Sequence, residues 1–199
     1  MIFAQKVITN EQKIINEEIN PLIYTDTSLK QPLSVEPNWK KLQKSISKKY
    51  KDIDAVKVIN GSKIRFYKIK NNWDQFADAY LTNLEKYEQV NKMVSHRQLS
   101  WSVNNTLYSI FKNVSKKKLL LRSATQSRKI VDNPNSVKPG EPSEQYSANN
   151  IDTYANLLYK AGNLKQAIKW QKKAVRYTNG NEKEFNANLK KMQKGERTW

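Results

Sequence analysis

One histidine and no cysteine leave this 199-residue chain with few side chains able to serve as nucleophile, general base or soft metal ligand. The histidine, His96, stands in Val94-Ser95-His96-Arg97 with no recognisable nucleophile or acid to partner it. It reads as a surface or helix-capping residue. No pair of His, Asp and Glu falls at metal-ligand spacing. Asn60-Gly61-Ser62-Lys63 lacks the second glycine and the following hydroxyl of a phosphate loop. The missing cysteines also exclude a disulfide framework and a thiolate site. Nothing here amounts to an active site. The expectation is a non-enzymatic protein that needs neither a metal nor a cofactor.

Charge is the other chemical resource. The net charge is +18 and it is unevenly spread. Residues 1–35 hold three Lys against four acids, so the rest of the chain carries the whole excess. Lys40 to Lys70 contains eleven basic residues against Asp52 and Asp54, Lys112 to Lys129 contains seven with no acid, and Lys160 to Arg176 contains six with none. Such a surface suits anionic partners such as nucleic acid, anionic lipid or an acidic protein. Yet 30 of the 36 basic residues are Lys and six are Arg. Bidentate phosphate and base readers favour Arg, whereas Lys commonly covers solvated helix faces. Nucleic-acid binding is therefore the alternative rather than the first expectation.

The elements that must position these residues are helical. Five Gly and six Pro are few for this length, and hydrophobic residues make up 38% with aromatics at 10%, so the core must be built from few, large side chains. Residues 1–36 are polar, interrupted by Pro21 and Pro32, and read as a lead-in or linker with at most a short helix over Asn10 to Asn20. A helical domain is expected over 37–199, divided into a bundle (37–132), a loop (133–149), and a hairpin with a C-terminal helix (150–199). In the bundle, Trp39, Leu42, Ile46 and Tyr50 share one helical face. Asp54 to Ile69 forms the next helix, with a kink or break possible at Gly61. Trp73, Phe76, Ala77, Tyr80, Leu84 and Tyr87 form a third stripe. Two further helices follow, one from about Ser100 to Val114 and one from Leu119 to Val131. Three prolines and a glycine make 132–149 a loop. A last helix, about Glu182 to Gln193, should stop at Gly195.

No run approaches the roughly 18 apolar residues of a membrane span. Met1-Ile2-Phe3-Ala4-Gln5 is too short for a signal peptide, though it is compatible with the remnant of one.

Residues 150–176 carry the most specific pattern. Two amphipathic helices meet at Gly162, with Ala155, Ala167 and Ala174 where helices must cross closely and Tyr154, Leu158 and Trp170 as the large packing residues. This resembles a tetratricopeptide-repeat (TPR) hairpin, which implies an all-α fold of antiparallel helical hairpins, a TPR-like helical repeat. Gln171 stands where an aromatic is usual in that pattern, and Asn179 where a terminal proline is usual. Ser123, Ile130 and Val131 match Ala167, Ala174 and Val175 at an offset of 44, and Thr106 and Phe111 match Thr153 and Leu158 at 47, which hints at an earlier copy of the hairpin.

In peptide-binding TPR units the exposed face of the first helix is concave and carries polar residues that hold a peptide backbone or carboxylate. The resemblance places Asp152, Asn156, Tyr159 and Lys160 on or near that face as the candidate partner-binding residues. Clamp-type units have Lys where Asp152 stands, which counts against carboxylate capture; Asp152 could instead favour the helix start through the dipole.

Asp152 to Gly162, Gln166 to Ala174, Asn181 to Phe185 and Lys194 to Trp199 together resemble the C-terminal helical region of exported thioredoxin-like proteins from Bacteroidetes-type bacteria. Asn38 to Leu42 and Trp73-Asp74-Gln75-Phe76 resemble the earlier helices of that region. In that family the redox work belongs to a thioredoxin fold with a Cys-x-x-Cys pair, and this chain has no Cys. The resemblance thus implies the helical scaffold without the oxidoreductase activity, and a periplasmic location. The expected role is protein–protein interaction or scaffolding, with a protein or peptide partner.

Overall fold

A computed structural model describes residues 10–26, 31–32, 35–87, 97–132 and 143–199. His96 and residues 1–9 lie outside the described residues. The fold is all-α, built of antiparallel helical hairpins, with one small ribbon near the N-terminus. Two compact units divide the chain, Met1–Asn83 and Leu84–Trp199.

The first unit begins with the short helix expected near Asn10 to Asn20 and continues into further structure. Residues from Asn10 onward are helical, pass through a π-helical turn at Ile15–Ile19 and end in α1 (Asn20–Ile23). Strand β1 (Tyr24–Asp26) then pairs antiparallel with β2 (Gln31–Pro32). In the π turn the amide of Asn20 donates to the carbonyl of Ile15, five residues back. That register stacks residues five apart, so Ile14 and Ile19 both bury. Glu18 accepts from Lys49 and from the Tyr50 hydroxyl, and these bonds hold its carboxyl below the usual range.

Helix α2 (Trp39–Lys49) starts at Asn38, whose side chain accepts from the Lys41 amide at 3.0 Å. Helix α3 (Ala55–Ile69) starts at Asp54, which accepts from the amides of Val56 and Lys57. It runs as one helix through Gly61, where the sequence allowed a kink or break. Tyr67 and Trp39 share Glu36 as acceptor, Trp39 Nε1 at 3.1 Å, and pack edge-to-face with Phe66. Buried Asn60 donates to the carbonyl of Ala79 at 2.8 Å, joining α3 to α4 (Trp73–Lys86).

The second unit stacks two hairpins and a further helix. Helix α5 (Arg97–Asn113) packs on α6 (Lys117–Val131), α7 (Ser143–Lys160) on α8 (Leu164–Tyr177), and α9 (Lys183–Lys194) on α8. Helix α7 also packs against α5 and α6, so the hairpins form successive layers. It starts at Ser143, inside the stretch expected to be loop up to 149. Some positions matched in sequence are also matched in burial, since Ser123 and Ala167 are fully buried, as are Ile130 and Ala174, whereas Thr106 is half-buried against a buried Thr153. Ala155 is fully buried too, so backbones approach closely at the crossings. Tyr154 and Trp170 meet edge-to-face with centroids 5.3 Å apart.

Four helices end in the same way. After α3, α7, α8 and α9 the chain turns left-handed at Asn71, Gly162, Asn179 and Gly195, at φ 53°, 90°, 50° and 74°, and after α8 Gly180 follows at 73°. The next amide then bonds a carbonyl five residues back, as Asn163 to Leu158 at 2.8 Å and Glu196 to Lys191 at 2.8 Å. Asn179, in the position where the repeat pattern has proline, is thus a helix-ending residue, because asparagine tolerates the left-handed region.

Gly61 and Gly162 give a paired test, since a β-carbon at either meets nothing within 4 Å. At Gly61, inside a helix, Gly61→Ala should raise unfolding stability by roughly 0.5–1 kcal/mol. At Gly162 the left-handed backbone disfavours a β-carbon, and Gly162→Ala should lower it by about 1 kcal/mol. Urea denaturation of the two variants checks the opposite signs.

Candidate functional site

Helix α7 presents its polar residues inward as well as outward. Asp152 lies on the same helical face as Ala148, Ala155 and Tyr159, and that face is covered by α8 and α9. Its Oδ1 accepts from Gln171 Nε2 at 2.7 Å and from Asn188 Nδ2 at 3.2 Å, and its Oδ2 from Asn156 Nδ2 at 3.0 Å. Gln171 also donates to the carbonyl of Phe185 at 3.2 Å, and Asn156 to the carbonyl of Asp152 at 2.9 Å. One carboxylate therefore ties α7, α8 and α9 together. Burial pushes the Asp152 carboxyl up to about 6, and the Glu184 carboxylate adds to the rise; the donated bonds from Gln171, Asn188 and Asn156 oppose it.

The expected exposure of Asp152 and Asn156 is therefore corrected: both side chains are buried, at 4% and 0% exposure. Asp152 also lies well inside α7, nine residues beyond its start, so it is not a helix-start residue. Tyr159 and Lys160 are half-buried and engaged within the fold. The Tyr159 hydroxyl donates to the carbonyl of Glu196 at 2.9 Å. The Lys160 ammonium donates to the carbonyls of Phe111 at 2.7 Å and Lys112 at 3.3 Å, at the C-terminal end of α5 where a cation is favoured. It also lies 5.0 Å from the Trp199 ring centre and 5.5 Å from that of Phe111. Burial and the neighbouring cations Lys112 and Arg197 lower its pKa.

Two surface features remain open. A cleft of about 200 Å³ is lined by residues of α5 (Trp101, Asn104, Tyr108), α7 (Asp152) and α9 (Glu184). Tyr108 donates to Glu184 at 3.3 Å, and burial followed by the nearby carboxylates Glu184 and Asp152 pushes its hydroxyl up to about 12. Trp101 is 57% exposed. A broader groove of about 590 Å³ runs along α8, where Lys165, Lys169, Lys172, Lys173 and Arg176 surround Ile168 and Trp170. The Arg128 guanidinium lies 4.3 Å from the Trp170 ring centre.

Sequence reasoning missed Trp101, Asn104, Tyr108 and Glu184 because the cleft forms only where α5 meets α7 and α9, which lie far apart in sequence. Trp101 was readable as a helical apolar residue, but only packing shows that it faces solvent. Among the described residues, no group of three His, Asp or Glu could hold a metal ion, and no helix is long and apolar enough to cross a membrane. No family model, no characterised protein and no solved structure matches the chain.

Because the folded pKa of Asp152 lies above its ordinary value of 3.8, its ionisation opposes folding. Its contribution to stability is complete below about pH 4 and declines as pH rises toward 6. Asp152→Asn should flatten that decline, measured as urea midpoints between pH 4 and pH 7. Asp152→Leu leaves three buried amide donors without their acceptor and should cost about 3 kcal/mol.

Proposed function

We propose that this protein is a TPR-like helical-repeat scaffold that binds an extended polypeptide across the first helices of its hairpins. The observation that carries this reading is the cleft shared by α5, α7 and α9, with a half-exposed tryptophan at its wall. Helices α5 and α7 are the leading helices of successive hairpins and α9 continues the series. Their common face is thus the continuous surface that stacked hairpins offer a partner. Large aromatic side chains at such a surface supply contact area at low entropic cost. The alanines at the crossings and the left-handed Gly162 support the TPR likeness. Gln171 departs from that pattern, and the bond that it donates to Asp152 accounts for a polar residue at this internal position. A non-enzymatic role agrees with this reading, as does the likeness to the helical tail of exported thioredoxin-like proteins, with the periplasmic setting that it implies.

The test is selection of peptides on the full chain from a random displayed library, followed by hydrogen exchange. Selected peptides should protect α5, α7 and α9, and Trp101→Ala should weaken them about tenfold. A library that yields no binder, or binders that protect α8 alone, would overturn the reading.

The basic groove on α8 favours a second reading, in which nucleic acid is the partner. Five cations flanking an indole could neutralise phosphates while a base stacks on the ring. If about four phosphates are contacted, affinity for single-stranded DNA should fall about fiftyfold between 50 and 200 mM salt. Absence of binding at the low-salt end would remove this alternative.

A further inference from the structure

The cleft between α5, α7 and α9 has a composition at odds with the molecule around it. In a chain of net charge +18, its described lining contains two carboxylates, Asp152 and Glu184, and no Lys or Arg. Among the polar groups of its lining, three offer acceptor capacity that the fold leaves open. Asn104 lines the cleft, is more than nine-tenths buried, and its Oδ1 has no hydrogen-bond partner. A buried carbonyl oxygen left in that state costs free energy unless a donor reaches it. Glu184 is exposed and accepts one long bond, from Tyr108. Asp152 Oδ2 accepts one bond, from Asn156, and keeps a lone pair.

We propose that this cleft binds the guanidinium of an arginine side chain presented by a polypeptide partner. The proposal deepens the polypeptide-binding reading above and rests on it. A guanidinium carries five N–H donors in a plane and no acceptor, which suits a site offering acceptors on several sides. It is less strongly hydrated than an ammonium and stacks on aromatic faces, a part that the exposed indole of Trp101 supplies. The volume, about 200 Å³, lies below the roughly 300 Å³ at which small-molecule pockets begin and suits one long side chain. Glu184 helps to raise the Asp152 carboxyl, so the two acids repel across the cleft, and a cation between them relieves that repulsion. A metal ion is a poorer occupant, because the described residues offer no three-ligand group. An anion is poorer still, because no cation lines the walls.

The experiment titrates the full chain with N-acetylarginine amide and, separately, with N-acetylcitrulline amide, its uncharged near-isostere, by heteronuclear NMR. The arginine probe should bind saturably and shift the Trp101 indole resonance, with the citrulline probe weaker by about tenfold or more. Glu184→Gln and Trp101→Ala alter exposed side chains, so the fold should persist, and each should weaken the arginine probe about threefold to tenfold. Lys169→Ala, on the basic groove, should leave it unchanged. Equal binding of the two probes, no saturation by about 10 mM, or full affinity in both cleft variants would overturn the proposal. Failure of the wider reading looks different. If library-selected peptides protect the cleft yet keep their affinity when Arg is replaced by citrulline, polypeptide binding stands and the guanidinium site falls. If the arginine probe binds but no peptide is selected, the guanidinium is recognised outside a polypeptide, and this also overturns the proposal as stated.

Discussion

A carboxylate held away from water must be surrounded by donors, and in the second unit that requirement joins three helices. Asp152 accepts from Gln171 on α8, from Asn188 on α9 and from Asn156 one turn along its own helix. Each donor is itself buried, so none of these residues can change alone without leaving a polar atom unpaired. Around this polar centre the apolar contacts are made by small residues and a few large rings: Ala148, Ile151, Ala174 and Phe185, flanked by Trp170 and Val175. Apolar burial supplies the driving force, while the carboxylate fixes which face of each helix turns inward. Helices offering only alanine and valine at their crossings could rotate or slide; three amides meeting one carboxylate cannot.

How much of this was legible depended on whether a residue's burial follows from its own type. The stripe Trp73, Phe76, Ala77 and Tyr80 defined α4, and the helical faces beginning at Trp39 and Asp54 located α2 and α3, whose caps Asn38 and Asp54 the structure supplies. Gly162 and Gly195 marked helix ends for the same local reason. Asp152 and Asn156 read as solvent-facing because charge and amide usually are, and their burial depends on residues 19 and 36 positions away. The one available signal was Gln171: a polar residue at a position that packing makes internal demands a polar partner. Pro142 ahead of Ser143 was read as part of a loop, although proline also opens helices, and α7 begins there. In the first unit a π register brought Ile14 and Ile19 to one side, which a 3.6-residue period separates.

The second unit also separates its charges. Helix α8 carries its cations on an open face beside Trp170, and the cleft between the leading helices is acidic. Within the second unit the open face of α8 thus suits an anion, and the cleft a cation. The two candidate partners would therefore meet different helix faces of one repeat and need not compete.

The tail after α9 returns to the first hairpin of its unit. Trp199 packs on Phe111 at 6.3 Å and on Tyr159 at 6.1 Å, while Lys160 sits between the rings and the α5 carbonyls. In an open stack of hairpins each layer touches only its neighbours, so end layers fray and the array melts in stages. Here Trp199 packs on Phe111 of the first hairpin, so α9 and the segment after it cannot peel away without disturbing α5. That coupling between layers that are not neighbours in sequence favours cooperative loss of structure in the second unit over layer-by-layer fraying.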